Sequence, residues 1–316
     1  MYELRTEFIE VHPKTMLNKV DSPDIGVCYS MNPYQGCEHG CVYCYARNTH
    51  TYWGYSAGVD FEQKILVKKA APQVLDAELR KPSYQPLPIM LAGNTDCYQP
   101  AERQFGITRQ ILEVLWKHRH PVGLITKNSL ILRDLDLLKQ MAELRLVKVS
   151  VSLTTLSEDT RRLLEPRTAS VKSRLHTIET LAAAGIPVNV MLAPIVPGLT
   201  DHELLAMAEQ VALRGASSIG YQVVRLNGDV AAIFEDWVRK AMPDRAERIL
   251  HRIQDCHGGQ LNDNRFGTRM RGEGQIADII AQQYRLAKRL YFSDKSIPPY
   301  DFELFRQLKN PQLKLF

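Results

Sequence analysis

Long apolar runs and abundant cysteine are both missing from this chain, and their absence excludes several classes of protein. The first ten residues carry Glu3, Arg5 and Glu7 and lack the apolar stretch of a secretory signal peptide. No uncharged apolar run reaches the roughly 20 residues that a membrane-spanning helix needs. Six cysteines in 316 residues are too few for a disulfide scaffold, and neither internal repeats nor low-complexity tracts occur. We therefore expect a globular, cytoplasmic protein without a membrane partner.

Charge is mild overall but unevenly distributed. The formal net charge is +5, yet residues 237–316 contain 15 Lys and Arg against 9 Asp and Glu. That stretch therefore carries +6, and the rest of the chain carries −1. A basic surplus at one end suits a polyanionic partner such as nucleic acid, but it is also typical of an ordinary solvated surface, and both interpretations stay open.

Short β-rich apolar runs alternate with longer amphipathic stretches through the first two thirds of the chain. The runs predicted as strands are 26–32, 87–92, 122–126, 147–153, 188–196 and 219–226. Single helices between successive strands imply right-handed crossovers and a parallel sheet, whose functional loops lie at the carboxyl ends of its strands. Six strands are fewer than a closed eight-stranded barrel needs.

The helices are predicted from apolar residues at helical spacing and from capping signals. Ser129 is a candidate N-cap, Gly185 ends a helix, and Thr200 with Glu203 forms a capping box. The predicted helices are 107–116, 130–144, 174–184, 231–242, 245–256 and 276–290. We predict four parts: an N-terminal segment over 1–25, a barrel over 26–226, a helical extension over 227–292 and an irregular tail over 293–316.

Three cysteines crowd into eight residues just beyond the first predicted strand. Cys37, Cys41 and Cys44 place thiols at i, i+4 and i+7, and Gly36 and Gly40 allow the loop to fold tightly. Thiolates are the preferred protein ligands of iron-sulfur clusters, and three of them on a four-iron cubane leave one iron open to another ligand. A zinc site with His39 as a fourth ligand, or a chance group of buried thiols, is the alternative.

The spacing CxxxCxΦC, with the aromatic Tyr43 before its last cysteine, resembles the signature of the radical S-adenosylmethionine (SAM) superfamily. The resemblance covers about residues 26–226 and implies an α/β fold, a partial (β/α)6 barrel with a helical C-terminal extension. It also implies a [4Fe-4S] cluster whose open iron binds SAM. In that family an electron from the reduced cluster cleaves SAM, and the 5′-deoxyadenosyl radical then takes hydrogen from a substrate.

Within the superfamily the chain is similar to spore photoproduct lyases and their bacterial relatives. The resemblance implies cofactor-binding roles for the turn Gly93, Asn94 and Thr95, for Lys127 and for two serines on the fourth strand, Ser150 and Ser152. Each has an ordinary structural alternative: Asn94 or Thr95 as a helix cap, and the serines as small residues facing a barrel interior. Lys127 at a strand end can pair with the SAM carboxylate.

Hydrogen return in the lyases uses a cysteine and tyrosines, and the resemblance implies that Tyr43 and Tyr45 are the tyrosines. The donor cysteine is missing, because Gly93 occupies its position. Cys97, four residues further on, is the candidate replacement, with a plain buried thiol as the alternative. This departure leaves the substrate open.

Two C-terminal features suggest a nucleic-acid partner. The loop 258–274 carries Arg265, Arg269, Arg271 and Phe266 on a glycine-rich frame, which suits either contacts with phosphates and bases or a lid whose arginines pair with Asp263 and Glu273. The last residues resemble the sliding-clamp-binding pentapeptide QLxLF: Gln312, Leu313, Leu315 and Phe316. A tail that packs on its own domain is the alternative.

The leading hypothesis is a radical SAM enzyme acting on damaged or modified DNA, with an electron donor such as flavodoxin or ferredoxin. Modification of RNA, a peptide or a small metabolite is the alternative within the same chemistry. A noncatalytic iron-sulfur protein that binds DNA or senses redox state is the alternative outside it.

Overall fold

The computed structural model describes residues 5–309, which form ten strands and twelve α-helices with four short 3-10 helices. The strands are β1 (Glu7–Glu10), β2 (Asn18–Lys19), β3 (Tyr29–Met31), β4 (Tyr34–Gln35), β5 (Lys64–Val67), β6 (Ile89–Leu91), β7 (Val122–Thr126), β8 (Val147–Ser152), β9 (Val188–Ile195) and β10 (Ser218–Val223). The α-helices are α1 (Val59–Gln63), α2 (Ala71–Arg80), α3 (Glu102–Phe105), α4 (Ile107–Lys117), α5 (Leu135–Glu143), α6 (Glu158–Leu164), α7 (Val171–Ala183), α8 (Leu204–Leu213), α9 (Val230–Ala241), α10 (Ala246–Asp255), α11 (Gln275–Tyr291) and α12 (Glu303–Lys309). The 3-10 helices are Tyr45–Trp53, Ser129–Asp134, Asp201–Glu203 and Pro243–Arg245.

The main sheet consists of seven strands in the order β10-β9-β8-β7-β6-β3-β2. Six of them are parallel neighbours in chain order, and only β2 runs antiparallel, along β3. These six are the strands predicted from the sequence, although β3 and β6 begin later than the apolar runs do. Within residues 5–309 no ladder joins β10 to β2, so the barrel is open. The predicted partial (β/α)6 barrel is confirmed.

Strand alternation decides which side chains face the barrel interior. On β8, Val147, Val149 and Val151 are buried in the core beneath the helices, whereas Ser150 and Ser152 line an interior cavity. On β9 the valines are likewise in the core, and Asn189 and Met191 line the cavity. Successive residues of a strand point to opposite faces of the sheet. The apolar residues at every second position face the helices, so the residues between them, several of which are polar, face the barrel interior. The site is therefore built into the strands themselves.

A second, three-stranded sheet anchors the loop that carries the cysteines. Its order is β1-β5-β4, with β1 parallel and β4 antiparallel to β5. Strand β4 leads directly into the loop, and the backbone N–H of Cys37 donates to Phe61 O at 2.8 Å. The sequence patterns did not predict this sheet, because its strands have only two to four residues. It joins β1, within 1–25, to β5, within 26–226; the four-part division of the chain stays a prediction.

Three local predictions are wrong, each for a visible reason. The N-cap is Asn128 and not Ser129, since the Asn128 side chain accepts from Leu130 N at 3.0 Å. The capping box at Thr200 does not form, because Glu203 accepts from Thr155 Oγ1 at 2.9 Å instead. Part of the tail predicted as irregular is helix α12, where Phe305 is 2% exposed and packs on the His120 ring.

Helices α9 and α10 pack together in a separate core cluster, and α11 lies along α8 and β10. These three match the predicted helices of the C-terminal extension to within two residues at each end. Among residues 5–309, none of the helices combines the length and the apolar character that crossing a bilayer requires.

Candidate active site

A cavity of about 850 Å³ occupies the barrel interior and opens at the carboxyl ends of its strands. This volume lies in the upper part of the roughly 300–1,000 Å³ range typical of ligand sites. We call it the main cavity. Nine of the residues predicted from the sequence line it: Cys41, Tyr43, Cys44, Tyr45, Gly93, Asn94, Lys127, Ser150 and Ser152. The fold thus brings residues from the cysteine loop and from three successive strands to one space.

The three loop cysteines are free thiols at one end of the main cavity. Cys41 and Cys44 line it, and Cys37 is buried beside them at 7% exposure. Burial raises the pKa of Cys41 to about 12, with a further contribution from the Glu165 carboxylate. Burial also raises the pKa of Cys37, to which Asp96 and the other two thiols contribute. A bound metal centre would therefore be needed to hold these groups as thiolates.

The donor set fits an iron-sulfur cluster better than a zinc ion. His39, the candidate fourth zinc ligand, is buried, with its ring between Asp96 at 3.5 Å and the Asn128 amide at 3.2 Å. Among residues 5–309 no three His, Cys, Asp or Glu side chains are grouped so as to hold a metal ion. Thiolates on a cubane bind separate irons and do not have to converge on one point, as zinc ligands must.

Arg47, which the sequence patterns did not single out, binds the backbone of the cysteine loop. Its guanidinium is 1% exposed and donates to Cys41 O at 2.9 Å, Ala57 O at 3.1 Å and Gly58 O at 3.0 Å. It also pairs with Glu62, which in turn pairs with Arg167. A buried arginine satisfied by carbonyls and a carboxylate fixes the loop backbone through directional bonds. Its only sequence signal is its place three residues after Cys44.

The tight course of the loop requires glycine at position 36. Gly36 has φ +77°, and a Cβ atom there would lie 2.8 Å from Lys64 O and 3.0 Å from Phe61 O. Both atoms belong to the backbone, so a side chain can be accommodated only if the loop shifts.

We therefore expect Gly36→Ala to lower the iron content after anaerobic reconstitution, because about 1–3 kcal/mol of backbone strain adds to the clash. Iron and sulfide determination measures this effect. The matched control is Gly54→Ala, where φ is +76° but nothing lies within 4 Å of the added Cβ. Equal iron content in the two variants would show that the close approach at Gly36 does not shape the cluster loop.

Asp96 is the last residue of the turn 93–96, which resembles the family's SAM-binding turn, and it connects the cysteine loop to the ends of two strands. Its carboxylate accepts from Thr126 Oγ1 at 2.8 Å, from the Lys127 backbone N–H at 2.7 Å and from the Tyr98 backbone N–H at 2.8 Å. The turn that contains it is closed by Asn32 Oδ1, which accepts from Asn94 N at 2.9 Å. These bonds orient Lys127 toward the main cavity.

Lys127 lines the main cavity and brings a positive charge to its wall. Burial lowers the pKa of its ammonium, but Cys41 and Glu165 outweigh this effect and raise it above the usual value. The group therefore stays charged, which suits an anionic ligand such as a carboxylate.

Replacing Lys127 by methionine should raise the KM for SAM about tenfold or more, the loss typical of a hydrogen bond to a charged group. Kinetics of 5′-deoxyadenosine formation against SAM concentration measure this change. Lys139→Met, on the exposed face of α5, is the control and should leave KM unchanged. An unchanged KM in Lys127→Met would remove Lys127 from the SAM site.

The Glu165 carboxylate is the centre of a buried hydrogen-bond network that reaches the cysteine loop through Tyr43. It pairs with Arg174, accepts from the Tyr43 hydroxyl and accepts from Thr154 Oγ1 at 2.7 Å. Burial would raise the pKa of Glu165, but the Arg174 and Lys127 cations lower it to about 2. Tyr43 is 7% exposed, and burial together with Glu165 raises the pKa of its hydroxyl. Tyr43, which lines the main cavity, is thus fixed by the buried Glu165 carboxylate.

Tyr45 and Cys97 have contrasting environments. Tyr45 is 43% exposed in the main cavity, and its hydroxyl donates to Gly93 O. Cys97 is fully buried in the main core and does not line the cavity. This placement is that of a plain buried thiol and gives no support to the predicted catalytic role of Cys97. At Gly93 itself, a Cβ atom would lie 2.7 Å from Ser30 Oγ.

The remaining residues predicted to bind a cofactor are Thr95, Ser150 and Ser152, and only the two serines line the main cavity. Thr95 is 2% exposed and donates its hydroxyl to Tyr34 O at 2.5 Å, outside the main cavity. Ser150 accepts from Asn189 Nδ2 at 3.3 Å, and Ser152 presents its carbonyl to Arg174 at 3.1 Å. The roles predicted for these side chains toward SAM stay predictions.

Part of the cavity wall is formed by the loop 258–274. Arg269 pairs with Asp24, Arg271 stacks on Tyr221 at 4.2 Å, and both line the main cavity. Arg265 alone pairs with Asp263 and Glu273. Two of the three arginines therefore face the cavity, and the lid and nucleic-acid interpretations of the loop both stay predictions.

Comparison with known proteins agrees with this geometry. Residues 31–211, more than half of the chain, match the family model of the radical SAM superfamily. The chain belongs to the radical SAM superfamily. An uncharacterised protein of Mycobacterium tuberculosis strain H37Rv is 36% identical over 244 residues, which span 76% of this chain and 72% of that protein. An uncharacterised protein of Methanocaldococcus jannaschii is 29% identical over 201 residues, 64% of this chain and 72% of that protein.

Among solved structures, spore photoproduct lyase complexed with dinucleoside spore photoproduct superimposes with a TM-score of 0.65 at 16% identity, over 90% of this chain and 79% of that one. A variant of the same lyase with bound AdoMet and dinucleoside spore photoproduct gives a TM-score of 0.64 over the same shares of both chains. At this identity the likeness shows a common fold. The predicted family and fold are confirmed, and the cofactors of this radical SAM protein are those of its family, a [4Fe-4S] cluster and SAM.

Proposed function

We propose that this radical SAM protein reductively cleaves SAM and directs the resulting radical to damaged or modified DNA, in a manner similar to spore photoproduct lyase. When bound, the cluster and SAM supply the electron and the radical. Cys37, Cys41 and Cys44 would hold the cluster, and the Lys127 ammonium would pair with the SAM carboxylate. The observation that carries the choice of an anionic substrate is the environment of Arg225.

Arg225 follows β10 and lines the main cavity together with Arg269 and Arg271 of the loop 258–274. Its Nε atom is buried and has no hydrogen-bond partner within residues 5–309. Burial, and next the neighbouring Arg269 cation, lower the pKa of the Arg225 guanidinium. A half-buried guanidinium with an unpartnered Nε atom, in a cavity that two further arginines line, favours the entry of an anion, and phosphate oxygens suit its planar geometry.

The position of Tyr45 supports a route for hydrogen return that differs from the lyases. The lyase cysteine corresponds to Gly93 here, and the Tyr45 hydroxyl lies on the Gly93 carbonyl. A half-exposed phenol in the cavity can reach a substrate, whereas Tyr43 is held by Glu165. We therefore assign hydrogen return to Tyr45 and not to a cysteine.

The decisive experiment measures 5′-deoxyadenosine formation by reconstituted protein under strong reduction, with irradiated DNA, intact DNA or no DNA. With deuterium-labelled DNA, deuterium in 5′-deoxyadenosine identifies the hydrogen that is abstracted, and deuterium in the product DNA shows whether that hydrogen is returned. We expect irradiated DNA to increase the rate. No SAM cleavage in any arm would overturn the enzymatic proposal, and a rate indifferent to DNA would overturn its substrate.

Arg225→Gln should raise the KM for irradiated DNA about tenfold, because the substitution removes a charge-assisted hydrogen bond to phosphate. SAM cleavage without DNA should keep its wild-type rate. The control is Arg289→Gln, an exposed arginine of α11 that removes the same charge far from the cavity mouth. If both variants raise the KM for irradiated DNA equally, the change in net charge and not the loss of Arg225 itself is responsible.

The partners and location that we propose are an electron donor such as flavodoxin or ferredoxin, the sliding clamp, and the cytoplasm. The clamp-binding residues Gln312, Leu313, Leu315 and Phe316 lie outside the described residues. Deleting Leu315 and Phe316 should abolish co-purification with the clamp while SAM cleavage persists.

A further inference from the structure

A second concavity lies on the other side of Asn94 from the main cavity. It has a volume of about 420 Å³ and is lined by Asn18, Asn32, Gln35, Thr49, Tyr52, Trp53, Lys68 and Asn94. We call it the side pocket. Its residues come from β2, β4, the 3-10 helix after the cysteines and the ends of β3, β5 and β6. Asn94 lines both spaces, so an occupant of the side pocket would be a neighbour of whatever fills the main cavity.

Lys68 gives the side pocket a buried positive charge. Its side chain follows β5, is 8% exposed and donates to Asn32 O at 3.0 Å. An ammonium has three donors, and no carboxylate within residues 5–309 forms an ion pair with this one. Burial lowers the pKa of Lys68 to about 8. A buried cation with unused donors favours an anionic ligand.

Gln35 is a second polar residue of the side pocket with unused hydrogen-bonding capacity. Its Oε1 atom is buried and accepts no hydrogen bond in the described part of the chain. An amide oxygen with unused acceptor capacity at the wall of a polar pocket can bind an N–H of a ligand. The pocket therefore offers an anion site and a separate hydrogen-bond acceptor.

Two aromatic rings form the outer edge of the side pocket. Tyr52 is 87% exposed and Trp53 is 45% exposed, at the end of the 3-10 helix that follows the cysteine loop. Neighbouring exposed rings of this kind are the surfaces on which nucleobases stack. An acidic peptide would use the lysine but would leave both rings in water.

We propose that the side pocket binds one nucleotide, with its phosphate at Lys68, its base against Tyr52 and Trp53, and Gln35 as an acceptor for a base or sugar donor. It shares with the proposed function only the class of ligand. The nucleotide is either free or the neighbour of a target nucleotide in a strand. Because binding and turnover are measured separately, the two proposals can fail independently.

The test is calorimetric titration of reconstituted full-length protein with thymidine 5′-monophosphate, thymidine and single-stranded tetrathymidylate. We expect the monophosphate to bind at least about tenfold more tightly than thymidine, and Lys68→Met to abolish that difference. The matched control is Lys69→Met, since Lys69 is 54% exposed and pairs with Glu10 at the surface. Its affinity should equal that of the wild type.

Trp53→Ala is a second variant, on an exposed ring whose loss leaves the core intact, and it should weaken the monophosphate about fivefold or more. Tetrathymidylate binding more tightly than the monophosphate, with both weakened by Lys68→Met, indicates a strand; equal affinities indicate a free nucleotide. The proposal is overturned if thymidine binds as well as its monophosphate, if Lys69→Met weakens binding as much as Lys68→Met, or if folded Lys68→Met and Trp53→Ala both retain wild-type affinity. In that last case the main cavity holds the nucleotide.

Discussion

Replacing Cys41 by alanine is expected to reduce SAM cleavage to the level of protein-free controls. Cys41 is one of three thiols available to the cluster, lines the main cavity and is held through its carbonyl by Arg47. Changes in groups that merely support a metal ligand typically cost 10–100-fold in metal affinity or activity, so loss of a ligand itself should cost more. Anaerobic 5′-deoxyadenosine formation and the visible absorbance of the reconstituted protein measure the effect.

The cysteines outside the loop provide the controls for this prediction. Cys28 is a half-buried free thiol before β3, and Cys28→Ser should retain both absorbance and SAM cleavage. Cys97→Ala should also retain both, because Cys97 is a core residue that does not reach the main cavity. A Cys41→Ala protein that still cleaves SAM would contradict the assignment of the loop as the cluster site.

Replacing Glu165 by alanine should lower the free energy of unfolding by about 3–5 kcal/mol, the range for breaking a buried ion pair by removal of one partner. Glu165 and Arg174 are both at most 1% exposed, so the remaining guanidinium would be buried without its carboxylate. Denaturant unfolding of the cluster-free protein measures this loss. The exposed pair of Glu235 and Arg239 is the comparison, and Glu235→Ala should cost at most about 1 kcal/mol.

The same pair predicts a dependence of stability on pH. The pKa of Glu165 is lowered from its ordinary value of 4.5 to about 2, so the native state favours the ionised form. The resulting stabilisation is complete above pH 4.5 and is lost as the pH falls toward 2. A shift of this size is worth about 3 kcal/mol. Between pH 5 and 2 the wild type should therefore lose about that much more stability than Glu165→Gln, and parallel curves would contradict the prediction.

The glutamate network also explains why a cluster loop needs support from distant residues. Glu165 and Arg174 lie beyond β8, yet they hold Tyr43, which stands between two of the loop cysteines. Arg47, paired with Glu62, binds the same loop through the Cys41 carbonyl. The Glu165 carboxylate binds a tyrosine of the cysteine loop, and residue type alone does not predict that contact.

The sequence by itself determined the family, the six parallel strands and nine of the residues that meet in the main cavity. A local signal exists for each: clustered thiols give cluster chemistry, and alternation along β8 and β9 assigns one face to the barrel interior. The carboxyl ends of parallel strands meet at one edge, so Lys127 and Ser152 had to lie near each other.

Only the tertiary structure decided which of those groups are available to a ligand. Thr95 binds Tyr34 O and Cys97 is in the core. Lys68 is a buried cation without a carboxylate partner within residues 5–309, and the half-buried Arg225 has a buried Nε atom that lacks a hydrogen-bond partner there. Hydrogen bonding and desolvation depend on neighbours far apart in the chain, and no local pattern records those neighbours. The cysteines therefore indicated the chemistry, and the packing around them decided which side chains face the main cavity.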